Sequence, residues 1–223
     1  MKQTNDFFSK YSHGWVFLYL LIYLPWFTWL ERTYAKLSDC NIIHTALDDK
    51  IPFCEYFIIP YFLWFLYVPL VILILFFTSK KEFYQTCGFL FVGMTICLLI
   101  CTFYPNGQNL RQYADMTSRD NIFIDILSAL YKTDTDTNVF PSIHVFNSIG
   151  IHIAVMKGSF FANKKWIKCG SFILCVLIIL STMFLKQHSV LDGIGAGILA
   201  VVMYCLVYRF KWSFSTNKEV VNE

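Results

Sequence analysis

Two histidines in this 223-residue chain have neighbours suited to phosphorus chemistry. In Lys186-Gln187-His188-Ser189-Val190-Leu191-Asp192, His188 and Asp192 are four residues apart, which on a helix is one face. A carboxylate bonded to one ring nitrogen fixes the tautomer and leaves the other nitrogen free as a base or nucleophile. His144 closes the run Pro141-Ser142-Ile143-His144 and is placed to give a proton to a leaving oxygen as general acid. Pro141 marks a helix start, where unpaired amides and the positive end of the helix dipole receive an anion, usually phosphate. Arg111 and Lys186 can neutralise charge on a transferring phosphoryl group. No metal or other cofactor enters this scheme.

The elements that position these groups follow from composition. Hydrophobic residues make up 57% and aromatic residues 19% of the chain, against about 45–50% apolar residues in a soluble domain. Long unbroken apolar runs favour an all-α bundle in lipid over a barrel of alternating strands. Six runs approach the roughly 20 residues that span a bilayer: Trp15 to Leu30, Phe53 to Phe77, Cys87 to Phe103, Ser142 to Met156, Trp166 to Leu185 and Ser189 to Tyr208. The fourth is the shortest and most polar, with His144, Asn147, Ser148 and His152, so it is expected to face protein or water. A single domain, 1–223, is expected, and the first helix carries no cleavage site for a signal peptidase.

Charge sets the expected orientation. With the N-terminus inside, the inner segments hold eleven Lys and Arg, including Lys2, Lys10, Lys157, Lys164, Lys165, Lys168, Lys211 and Lys218, and the outer ones seven. The outer segments also collect most of the acids, Asp48, Asp49, Asp115, Asp134 and Asp136 among them. This distribution favours cytoplasmic N- and C-termini in the cell membrane. Arg111, His144 and His188 then converge on the outer, extracytoplasmic face. The net charge of +3 is scattered in short clusters and leaves no nucleic-acid footprint. Cysteine spacing suggests no zinc site, and Cys40 and Cys54 are the one pair placed in or beside an aqueous loop where a disulfide is conceivable.

Together these residues resemble the type-2 phosphatidic acid phosphatase superfamily, whose signature is Lys-x6-Arg-Pro, then Pro-Ser-x-His, then Ser-Arg-x5-His-x3-Asp. Pro141, Ser142 and His144 match the second motif, and Ser181, His188 and Asp192 match the third with its spacing. The resemblance spans about Tyr104 to Asp192. It implies that His188 forms a phosphohistidine, Asp192 orients it, His144 protonates the leaving group, and Ser142 and Arg111 hold phosphate. The first-motif Lys falls at Tyr104, the Pro after Arg111 is Gln112, and the third-motif Arg falls at Thr182. Lys186 is a candidate replacement cation, and the changed cradle resembles the inositol phosphorylceramide synthase-like branch of head-group transferases.

The expected substrate is a lipid phosphate or isoprenyl pyrophosphate taken from the membrane, with hydrolysis or transfer to an acceptor alcohol both open. Binding of a lipid phosphate without turnover is the alternative from another class, and the substitutions at Tyr104 and Thr182 are its support. Oligomeric state is not legible. Elsewhere, Arg119, His13 and His44 read as surface residues, and His152 as a buried polar contact. Gly193 and Gly197 read as a close helix approach. Trp26, Trp29 and Trp64 read as lipid-facing or interfacial anchors.

Overall fold

A computed structural model describes residues 11–111 and 118–209. Gln112, Asp115 and the lysines at 2, 10, 211 and 218, used above, lie outside the described residues. The chain is all-α. A 3₁₀ run, Ser12–Tyr19, feeds α1, Leu20–Thr33. α2 is Ile58–Thr78, and α3, Lys80–Phe103, begins where the Ser79 side chain accepts from the Glu82 amide. α4 (Ile122–Thr133), α5 (Ile143–Lys157), α6 (Lys165–Phe184) and α7 (Val190–Tyr204) follow, the last ending in a π-helical turn, Cys205–Arg209. Pro69 sits inside α2, tolerated in a lipid-embedded helix because neighbours resupply the lost backbone contact.

Among the described residues, five helical stretches are long and apolar enough to cross a membrane: Ser12–Thr33, Glu55–Thr78, Lys80–Phe103, Lys165–Phe184 and Val190–Arg209. The sixth expected span forms as α5, but its 15 residues reach only about 22 Å. It lies among α2, α3, α6 and α7. Its Phe146, Ser148 and Ile151 are fully buried, so protein, rather than lipid, surrounds this polar helix. Two glycines admit that packing. A Cβ on Gly93 of α3 would lie 2.0 Å from the Phe146 ring, and one on Gly150 would lie 2.6 Å from the Phe89 ring.

The long connection before Pro141 is not all loop. It holds α4, capped by Asn121, whose side chain accepts from the Phe123 and Ile124 amides. Ile124, Leu127, Leu130 and Tyr131 share one face and pack with Phe53, Ile58, Tyr61 and Leu185 in a second hydrophobic cluster. A two-residue parallel pairing, Asn41–Ile42 (β1) with Asn106–Gly107 (β2), joins the loop after α1 to the loop after α3. Asn106 is fully buried and its side-chain oxygen accepts from the Phe140 amide at 2.8 Å. That bond fixes the chain two residues before Ser142.

Some of the remaining readings from sequence change and some hold. His13 is buried, with Nε2 2.9 Å from the Phe76 carbonyl oxygen. Arg119 is exposed, as expected, and pairs there with the buried Glu55. On α7 the expected close helix approach holds at Gly193, where a Cβ would lie 3.0 Å from Met183 of α6, and not at Gly197, which faces open space; a Cβ on Gly195 would meet Phe140 at 2.6 Å. Trp26 donates to Thr102 at 3.1 Å and links α1 to α3. Cys40 and Cys54 are free thiols.

Candidate functional site

The starts of α5 and α7 meet at one end of the bundle. Ser142 caps α5 by accepting from the Val145 amide, and its own amide donates to the Asp192 carbonyl at 3.2 Å. Ser189 caps α7, and Asp192 returns the bond, its Oδ2 accepting from the Ser189 amide at 2.8 Å. The same Oδ2 lies 3.3 Å from His188 Nδ1. Asp192 is wholly buried, and the His188 side chain is 11% exposed. The carboxylate therefore takes Nδ1–H and turns Nε2 outward.

His144 stands opposite, its ring centroid 5.9 Å from that of His188. Tyr61 and Trp64 of α2 pack on it with ring centroids at 4.8 and 4.5 Å, so Trp64 supports the site rather than anchoring in lipid. Both histidines line a cavity of about 390 Å³, whose walls also include Tyr23, Phe27, Glu31, Asp134, Asn138 and Gln187. The aromatic and aliphatic side of α1 and α2 gives the cavity a lipid-like wall. Its polar side is formed by Glu31, by Asp134 and Asn138 in the stretch before α5, by His144 at the start of α5 and by Gln187 and His188. Glu31 is held there by Thr135 Oγ1 and by Asn138 Nδ2 at 2.9 Å.

The two cations singled out from sequence do not line this cavity. Lys186 is 4% exposed, and Nζ donates to the carbonyls of Asp48 and Ile51 at 2.7 and 2.6 Å. Burial lowers its pKa from the usual lysine range against the opposing pull of Asp48 and Asp49. Its φ of 53° is left-handed, a conformation usually left to glycine at a helix end; the two carbonyl bonds hold it there. Arg111 donates to the Tyr131 and Asp134 carbonyls at 3.0 and 2.6 Å and to Gln187 Oε1 at 3.1 Å, with its guanidinium 4.3 Å over the Tyr131 ring. Arg111 thus braces α4 against the His188 segment.

Two residues were missed. Asp48, 2% exposed, accepts from Ser189 Oγ at 2.7 Å and from the Val190 amide at 2.8 Å, so a distant loop carboxylate also caps α7. No local sequence signal marks it, because its partners lie far along the chain. Gln187 adjoins His188 and lines the cavity; a glutamine in a loop gives no cue by type alone. Thr182 and Ser181 are both buried with hydroxyls bonded back into α6, and the Thr182 carbonyl accepts from the Gln187 and His188 amides. His152 contacts Ser171 Oγ at 3.0 Å, away from the cavity.

Fold and site together define a multi-pass, all-α membrane protein with a histidine–aspartate pair and a second histidine at one end of its bundle. A model of the PAP2 superfamily matches residues 103–215, and the chain belongs to that superfamily, membrane phosphatases and phosphotransferases of lipid-type phosphate esters. Comparison with curated proteins and with solved structures finds no match.

Proposed function

We propose that this protein cleaves a lipid phosphoester at the outer face of the cell membrane through a phosphohistidine on His188. The observation that carries the reading is the pairing of His188 Nδ1 with the buried Asp192 while His144 faces it across one cavity. Nε2 of His188 attacks phosphorus, the bond from phosphorus to the lipid oxygen breaks, and His144 supplies the proton to that oxygen. The imidazolium at His188 is stabilised by Asp192. Water then attacks the phosphohistidine with His144 as base, regenerating both histidines. An acceptor alcohol in place of water makes the same site a head-group transferase of the inositol phosphorylceramide synthase type.

The N-terminus of α5 supplies the electrostatics. Ser142 caps the helix through the Val145 amide, and the chain before it is tied down by Asn106, so the positive end of the dipole is held where phosphoryl oxygens would meet it. A role in binding without turnover leaves the nucleophile–acid pair unexplained, since binding alone requires neither.

The test uses purified protein and lipids labelled at phosphorus: phosphatidic acid, phosphatidylglycerol phosphate, an isoprenyl pyrophosphate and a phosphodiester phospholipid. An acid-labile, base-stable phosphoprotein in the wild type that is absent from His188→Ala is expected. No release, transfer or phosphoprotein with any lipid, alongside equal lipid binding by both proteins, sinks the enzymatic reading.

A further inference from the structure

Gln187 is 2% exposed and lines the cavity beside His188. Its Oε1 accepts from Arg111, which has only donors to offer, so the amide's orientation is fixed and Nε2 is the group left over. Among the described residues Nε2 has no hydrogen-bond partner, although it is buried. Trp64 Nε1, from another residue lining the cavity, is likewise buried and has no hydrogen-bond partner among the described residues. A buried donor left without an acceptor is costly, and two of them on one cavity point to an acceptor that the cavity is built to receive.

The charge of the cavity narrows that acceptor. Among the described residues lining it there is no Lys or Arg, while Glu31 and Asp134 contribute two carboxylates. Arg111 and Lys186 lie outside the lining, with both terminal nitrogens of Arg111 bonded to backbone carbonyls or to Gln187 and Lys186 Nζ bonded to two backbone carbonyls. In a low-dielectric cavity each added negative charge on a ligand is resisted by those carboxylates. A ligand oxygen that wants a hydrogen bond, with a single negative charge on its phosphorus, fits this wall.

We propose that Gln187, with Trp64, donates to the phosphoryl oxygens of the substrate and that the cavity takes a singly charged phosphodiester in preference to a doubly charged monoester or a pyrophosphate. This rests on the proposed phosphoester reading and names its substrate class. His188 then receives a substituted phosphoryl group: the nitrogen–phosphorus bond forms, the bond to the lipid oxygen breaks with a proton from His144, and water or an alcohol next attacks phosphorus, gives its proton to His144, breaks the nitrogen–phosphorus bond and leaves with the phosphoryl head group.

The test measures binding to the full chain in detergent, in a His188→Ala background that cannot turn over, with dimethyl phosphate and methyl phosphate followed by phosphorus NMR. At pH 8 dimethyl phosphate is expected to bind about tenfold more tightly. As pH falls to 5, below the second phosphate pKa of about 6, methyl phosphate becomes a monoanion and the gap closes. Dimethyl phosphate has no proton to lose there, so it reports any change from Glu31, Asp134, His144, Asp192 or Arg111, and the ratio isolates ligand charge. Gln187→Met is expected to weaken dimethyl phosphate about tenfold, and Trp64→Phe to weaken it less; the second variant answers if the first does not fold. Equal or tighter methyl phosphate binding at pH 8, unchanged binding in the variants, or binding of neither ligand overturns the proposal. A phosphohistidine in the wild type alongside any of these leaves the phosphoester reading standing and removes only the role of Gln187 and the diester preference.

Discussion

His144 and His188 face each other across one cavity with ring centroids 5.9 Å apart and planes inclined at 58°, although each is held by different partners. His188 is tied to a buried carboxylate, and His144 is packed between aromatic rings. One imidazole is thereby fixed in tautomer by a carboxylate, while the other is held without an anionic partner, an asymmetry that suits the proposed roles in attack and protonation.

If His144 is the acid, its value depends on the leaving group. His144→Ala should slow phosphoprotein formation about 10²- to 10⁴-fold with an alkyl phosphoester. With a nitrophenyl ester, whose oxygen leaves without a proton, the loss should be far smaller. Rapid-quench measurement of the first half-reaction with both esters decides, and equal losses would show that His144 acts only through packing.

Asp192→Asn keeps a side-chain oxygen for the Ser189 amide but can present N–H to His188. The expected result is a fall in kcat of at least about a hundredfold, with a stability change below about 1 kcal/mol. Thermal melting and steady-state kinetics on the same preparation separate the two effects. A melting loss that accounts for the whole activity loss would make Asp192 a cap and nothing more.

Much of this site is legible in the sequence because its parts are local. The four-residue spacing of His188 and Asp192, the Pro–Ser start before His144 and the apolar runs are properties of short segments. What escapes is decided at long range. Asp48 reaches Ser189 and Val190 from a loop on the far side of the sequence, and Arg111 finds backbone carbonyls of α4. A basic side chain near a phosphate motif reads as a ligand when only its charge is visible. Its direction depends on the left-handed backbone at Lys186 and on which carbonyls lie within reach. α4 escapes for a different reason: its 12 residues are too few to register as a span, and polar stretches on both sides mask its amphipathic face.

Lys186 gives a direct contrast between a ligand and a brace. Lys186→Met should lower stability by about 1–3 kcal/mol, since the Asp48 and Ile51 carbonyls lose their donor. KM for the folded enzyme should stay within about twofold, because removing a group outside the cavity takes no binding energy from the substrate. A large rise in KM with unchanged melting would return Lys186 to the phosphate.

Orientation is open to thiol chemistry. Cys169, exposed near the start of α6, lies on the side that the charge count assigns to the cytoplasm, and the half-buried Cys40 lies beside β1 on the side of the histidines. A membrane-impermeant maleimide applied to intact cells should modify Cys40 and spare Cys169 until the cells are opened, as mass spectrometry of the recovered protein would show. The reverse pattern places His144 and His188 inside.

The shortness of α5 makes its lateral packing decisive, because a 15-residue helix cannot be positioned by lipid contacts at both ends. Gly93 is where α3 makes room for it: a Cβ there would lie 2.0 Å from the ring of Phe146, two residues beyond His144. Gly93→Ala must therefore push Phe146, and with it the start of α5, at a cost of about 1–3 kcal/mol. Activity should fall further than stability, since a shift of α5 moves His144 relative to His188. Phe146→Leu shortens the obstructing side chain, so the double variant Gly93→Ala/Phe146→Leu should recover both melting temperature and rate relative to Gly93→Ala alone, a coupling that independent sites do not show. Additive losses in the double variant would mean that the two helices are not held in register by this contact.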